Sequence, residues 1–113
     1  MYANGQGVKQ DYFYALYWYQ KAAEQGFAEA QNNLGDMYFY GQGVKQDYFK
    51  AFEWIQKAAE QGIADAQNKL GFMYEYGEGV NQDYFKALEW YQKVAGQRYA
   101  QDKFISYKLR GVL

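Results

Sequence analysis

Three kinds of residue in this chain are of types that could do chemistry. They are the G-x-G turns at 5–7, 41–43 and 77–79, the carboxylates Asp47, Glu60 and Asp65, and the hydroxyl of Ser106, the one serine. A glycine loop cradles phosphate when it follows a strand and carries a third glycine, or when it ends in Gly-Lys-Ser/Thr. Here the motif reads G-x-G-V-x-x-D with none of these features, so it reads as a turn between two helices. Asp47 stands where a helix N-cap is expected, and Glu60 and Asp65 flank a helix junction; these are capping or solvated charges rather than an acid–base pair. Ser106 has no base partner, because the chain contains no His, no Cys and no Thr. That composition closes imidazole catalysis, thiolate chemistry and the usual zinc sites. The expectation is a protein that is not an enzyme and that needs no cofactor or metal.

The rest of the composition limits the partners. The chain has 113 residues, half of them hydrophobic and 22% aromatic, enough for one core or one short array. Twelve Lys and Arg nearly balance thirteen Asp and Glu. The basic stripe that nucleic acid or an anionic membrane would require is missing, and neither is expected as a partner. No apolar run approaches the roughly 18 residues of a membrane span. The opening MYANGQGVKQ lacks a charged segment followed by an apolar one, so no secretory leader is visible in this stretch, and the compartment stays open. There is no Pro, which suits helices throughout.

Those candidate residues are positioned by a repeat. GQGVKQDYF occurs at 5–13 and 41–49, and GEGVNQDYF at 77–85, a period of 36. Residues 5–40 match 41–76 at 27 of 36 positions. A fixed period of this size means a solenoid. Each unit reads as two helices. The first covers about 28–40, with Ala30, Leu34, Met37 and Tyr38 on one face and Gly41 closing it. A loop follows in which Val44 is the one apolar plug, and Asp47 caps the second helix, about 47–61. The capping box is incomplete, since Lys50 stands where Glu or Gln would close it. Tyr48, Ala51, Phe52, Trp54, Ile55, Ala58 and Ala59 form a broad apolar arc opposite Lys50, Glu53 and Lys57. The three tryptophans, Trp18, Trp54 and Trp90, recur at core spacing. Neither helix buries its apolar face alone, so stacking makes the core.

These residues resemble the Sel-one-like repeat, a tetratricopeptide-related α/α family. The resemblance rests on Ala28, Ala30, Leu34, Gly35, Tyr38, Gly41, Gly43, Val44, Asp47, Lys50, Ala51, Trp54, Lys57, Ala58, Ala59, Gln61 and Gly62, and covers about residues 1–100. The 36-residue period also separates it from ordinary tetratricopeptide repeats of 34. Ile55 replaces the family's usual Tyr, and the disulfide that staples some members has no cysteines here. The resemblance implies an all-α right-handed superhelix, a protein-interaction scaffold, and a family common in bacteria.

The ends of the array depart from the pattern. Met1 and Tyr2 align with Met37 and Tyr38, so 1–4 is expected to be the end of a first helix whose body is absent, as in a fragment of a longer array. The whole chain then divides as one solenoid: repeats at 5–40, 41–76 and 77–98, and a C-terminal cap at 99–113. In the cap, Arg98 replaces Gly26 and Gly62, and Ser106-Tyr107 replaces Leu34-Gly35. Phe104, Ile105 and Leu109 are expected to face inward, with lysines outward and Arg110-Gly111 ending the helix.

Sites are sought where the repeats disagree. Asn33/Lys69, Asp36/Phe72 and Phe39/Glu75 step by three along the first helix, on a stripe away from the core face. With Tyr40 and Tyr76 at its border, this stripe is the candidate concave groove for a protein or peptide partner, because apolar residues at exposed positions need a reason. The aromatics would supply affinity and Asp36, Lys69 and Glu75 specificity. Tyr14 and Tyr17 stand where the later repeats have Lys50/Glu53 and Lys86/Glu89, and are a candidate second interface, including a homo-oligomeric one. Glycan or cell-wall recognition through tyrosine stacking, and a structural segment of a larger repeat protein, are the alternatives.

Overall fold

Asp47 and Asp83 start their helices as the repeat predicts. In the computed structural model, the Asp47 carboxylate accepts from the backbone N–H of Phe49 and Lys50, and Asp83 from that of Lys86. Gly41 and Gly77, both in the left-handed conformation, end the preceding helices and donate their N–H groups to Met37 and Met73. The structure describes residues 5–113, with side chains from Tyr12 onward except those of Ala95 and Gln97. They form six helices: α1 (Gly5–Glu24), α2 (Ala28–Tyr40), α3 (Tyr48–Glu60), α4 (Ala64–Tyr76), α5 (Tyr84–Ala95) and α6 (Gln97–Leu109). No strand occurs among the described residues. Each helix packs on the next in the chain, which is the expected α/α solenoid.

Two cores run through the stack. Ala51, Ile55, Ala58, Ala59, Ala66, Leu70, Met73, Tyr74, Ala87 and Tyr91 form the larger one, with Trp90 and Val80 packed at its edge. Ala23, Ala30 and Leu34 form the smaller, covered in part by Trp54. The small residues set the spacing. A Cβ on Gly35 would stand 2.5 Å from Ile55 Cγ1, and one on Gly71 2.7 Å from the Tyr91 ring, so paired helices approach closely there. Gly43 does a second job: its positive φ of 73° turns the loop, and a Cβ there would meet Tyr12 of the preceding repeat at 2.6 Å.

Glutamines seal the repeat junctions. Gln31 and Gln67 donate to the carbonyls of Ala23 and Ala59 at 3.2 and 3.1 Å. Gln61 donates to the Gly26 carbonyl at 3.0 Å and to the Gln31 side chain at 2.8 Å. Carbonyls at helix ends have no partner within the helix, and Gln31, Gln61 and Gln67 supply donors at these junctions.

Three expectations are corrected. First, residues 5–10 are helical rather than a turn. The turn at 41–46 is held by acceptors on the helix before it, with Gln42 N–H on Met37, Asp47 N–H on Tyr38 and Gln46 Nε2 on Phe39. Residues 5–10 instead continue into α1. Residues 1–4, expected to end a first helix, lie outside the described residues. Second, Trp18 is exposed, whereas Trp54 and Trp90 are half-buried against the cores. Trp54 packs on the repeat before it, and no such repeat is described before Trp18. Third, Phe104, Ile105 and Leu109 of α6 face solvent, while Ala100 and Tyr107 face inward. The pairing of Lys103 with Glu75 fixes the rotation of α6, and positions 100, 103 and 107 share its inner face. Gly111, with φ 76°, follows the last turn as expected.

Gly35→Ala is expected to destabilise the chain by about 1–3 kcal/mol through overpacking against Ile55. Urea unfolding followed by circular dichroism measures this, and pairing the change with Ile55→Ala, which removes the Cγ1 that the new methyl meets, should cost less than the sum of the two single changes.

Candidate functional site

The stripe defined by repeat disagreement lies between α2 and α4, the first helices of consecutive repeats. Side chains join them in a ladder. Asn32 Nδ2 donates to Asp65 at 3.1 Å, Lys69 Nζ pairs with Asp36 at 2.9 Å, and the Phe39 and Phe72 rings lie 6.3 Å apart, edge to face. All three pairs are separated by 33 residues (65−32, 69−36 and 72−39). One flank of each first helix therefore meets the other flank of its successor, three residues short of a full period.

The rungs enclose a cleft of about 430 Å³ lined by Phe39, Tyr40, Asp65, Asn68, Lys69 and Phe72. Its aromatic wall is continuous. Phe39 packs on Tyr40 at 4.9 Å and on Tyr48 at 5.0 Å, and Phe72 on Tyr76 at 4.7 Å. Tyr40, Phe72 and Tyr76 remain 57, 41 and 53% exposed. Asn33 is half-buried and does not line the cleft; Asp36 and Tyr76 do not line it directly either, Asp36 lying behind Lys69 and Tyr76 against Phe72.

The polar floor is an ionic triad. Lys69 donates to Asp36 and, at 2.5 Å, to Asp65. Burial pushes the Asp36 carboxyl above its usual range despite the pull of Lys69. The hydrogen bonds of Lys69 and Asn32 hold Asp65 below it. Burial alone would lower Lys69, but its bonds to Asp65 and Asp36 outweigh that and raise it. The lysine thus stays charged in this partly buried place.

Glu75 does not belong to this surface. It is 1% exposed and turned away from the cleft, accepting from the Tyr91 hydroxyl at 2.6 Å and from Lys103 at 3.3 Å. It ties α4 to α5 and to α6. Burial first, then the hydrogen bond to Glu75, drives the Tyr91 hydroxyl far above its ordinary value; burial and the Glu75 charge push Tyr107 up as well. The repeat comparison misread Glu75 because its partner, Lys103, lies in the one segment that breaks the repeat. Sequence reasoning also missed the cleft roles of Asp65 and Asn68 and the rung made by Asn32. A search for complementary pairs 33 residues apart would have found Asn32–Asp65.

Elsewhere, Phe13, Tyr14, Tyr17 and Trp18 line an open hollow of about 500 Å³ on α1. All four are more than half exposed, Tyr17 meets Trp18 edge to face at 5.0 Å, and Lys21 lies over Tyr17. Among the described residues no group of three or more carboxylates could hold a metal ion, and no helix is long and apolar enough to cross a membrane.

The chain matches the Sel1 repeat family in three consecutive copies, at residues 1–27, 28–63 and 64–98. It belongs to the Sel1 repeat family. Members of this family are helical scaffolds, generally non-enzymatic, that commonly mediate protein interactions. The chain is similar to c5321, described as a protective antigen present in uropathogenic Escherichia coli strains and displaying this repeat fold. The two are 44% identical, with 96% of this chain and 24% of that one covered and a TM-score of 0.80. It is similar to a Sel1 repeat protein of Oxalobacter formigenes at 46% identity, covering 74% of this chain and 33% of that one, with a TM-score of 0.72. It is also similar to cysteine rich protein B of Helicobacter pylori, at 29% identity over 88% of this chain and 74% of that one, with a TM-score of 0.70. The chain thus spans about a quarter and a third of the length of the first two. Comparison with curated protein sequences finds no match. The Sel1 repeats here hold their helices together without any cysteine.

Two outcomes follow for these Sel1 repeats. Lys103→Met, which strands the buried Glu75 carboxylate, is expected to cost about 1–3 kcal/mol in chemical unfolding. Glu75→Gln in the same background should recover part of that. Because Tyr91 and Tyr107 have folded-state values above the ordinary tyrosine value of about 10, their contribution to stability is present below that pH and declines as pH rises through and beyond it. Thermal midpoints measured from neutral to strongly alkaline pH should fall, and Tyr91→Phe should flatten the decline.

Proposed function

We propose that this chain is a non-enzymatic binding module that holds a protein or an extended peptide in the cleft between α2 and α4. The observation carrying the reading is the aromatic wall of Phe39, Tyr40, Phe72 and Tyr76, three of whose rings stay well exposed beside a cleft held open by an ion-paired floor. Exposed aromatics cost solubility unless a partner covers them, and anchors of this kind dominate binding energy at interfaces. The residues assigned to the partner are Tyr40, Phe72 and Tyr76 as anchors, Phe39 as their support, and Asp36, Asp65 and Lys69 as the polar floor. Glu75 serves the reading only by fixing α4 in place.

A second reading concerns the α1 surface. Tyr14 and Tyr17 sit beside Phe13 and Trp18 on one open apolar face, which supports an interface there, with a second copy or with another repeat. The double change Tyr14→Lys and Tyr17→Glu copies the residues the other repeats carry, so the fold should survive it.

The two readings separate in one comparison. Peptides selected from a random display library on the chain should lose about tenfold or more in affinity on Phe72→Ala with Tyr40→Ala, each lost anchor costing about 1–2 kcal/mol. They should bind the Tyr14→Lys, Tyr17→Glu variant unchanged. Retention of full affinity by the cleft variant, with helicity intact, overturns the cleft reading. Sedimentation of the chain at rising concentration, with and without the α1 changes, decides the second reading.

A further inference from the structure

The cleft has a sign. Its one cation, Lys69, is pinned between Asp36 and Asp65, and its side chain is only 20% exposed. Asp36 is also largely covered, at 26%. Asp65 is the charge that reaches solvent, at 60%, and it receives both Lys69 and Asn32 on a single oxygen, Oδ2. Two carboxylates against one ammonium leave the floor at one net negative charge, presented by Asp65 at the mouth of the cleft. Asn68, exposed on the same helix, adds an amide beside it.

An incoming acidic side chain would meet the exposed carboxylate before the shielded lysine. An incoming cation would meet an accessible carboxylate, with aromatic faces within reach for its stem. The aromatic wall in turn asks for an apolar side chain. We infer that the occupant of the cleft is an extended protein segment in which an apolar anchor lies next to a Lys or Arg, the anchor resting between Phe72, Tyr40 and Phe39 and the cation pairing with Asp65. This rests on the cleft reading given above and narrows it to one partner chemistry. Arginine suits the place better than lysine, because its planar fork takes a carboxylate while stacking on a ring.

The test uses three fluorescein-labelled peptides of equal length, each with a central Trp-Leu anchor flanked by arginines, by glutamines or by glutamates. Binding to the whole chain is read by anisotropy at low and moderate salt. The arginine peptide should bind about threefold or more tighter than the glutamine peptide, and the glutamate peptide more weakly than either, with the spread shrinking as salt rises. Asp65→Asn should bring the ratio of arginine-peptide to glutamine-peptide affinity close to one, whereas Phe72→Ala should weaken all three peptides and keep that ratio. Circular dichroism confirms that both variants stay helical. Equal binding of the three peptides, or a preference for glutamate, with Phe72→Ala still weakening them, overturns the basic-partner inference and leaves the cleft standing. Loss of all sensitivity to Phe72→Ala, or no binding by any peptide, overturns both.

Discussion

Everything in this molecule depends on how closely the two helices of a repeat approach at Gly35 and Gly71. A side chain at either glycine would collide with Ile55 or with the Tyr91 ring. Because it is absent, the apolar arc of the second helix seats directly on the first. The alanines at 51, 58, 59, 66 and 87 then close to full burial. A thin core of this kind has little volume to spare, so a single methyl group at the contact is expected to be felt throughout.

The close approach has a consequence on the other side of the first helices. With their inner faces committed to α3 and α5, α2 and α4 meet each other only through side chains reaching across: an amide to a carboxylate, an ammonium between two carboxylates, and a pair of rings. A junction made by side chains alone leaves space between the backbones, and that space is the cleft. Scaffold and candidate site are thus two results of one packing arrangement. Of the residues that differ between repeats, Asp36 with Lys69 and Phe39 with Phe72 meet in pairs across this junction.

Between α4 and α6 the stack changes its chemistry. Where an apolar contact would continue the stack, Glu75 is buried and satisfied by Tyr91 and Lys103, which stands over the rings of Tyr91 and Tyr99. A buried carboxylate is costly unless it is paired and hydrogen-bonded, so the pairing specifies where α6 docks and how it is turned. Tyr107 then fills the place beside Tyr84, at 4.7 Å between rings.

The family, the helix–turn–helix unit, its caps and its period were legible in the sequence because they are local or periodic. An aspartate before a helix, a glycine after it and an apolar face every 3.6 residues act within one turn, and three copies repeat the message. Phe39, Tyr40, Phe72 and Tyr76 were legible as a stripe for the same reason. What the tertiary structure decided was whatever depends on a partner outside the repeat's own register. The step of 33 rather than 36 turned Asp36, Lys69 and Asp65 into one ionic floor. Lys103 drew Glu75 inward and rotated Phe104, Ile105 and Leu109 outward. The first copy of the turn motif is helical within α1, whereas the later two are turns. Periodicity states which residues share a face; only the packed helices state what each face meets, because a pairing energy is set by distance and burial rather than by position in the chain.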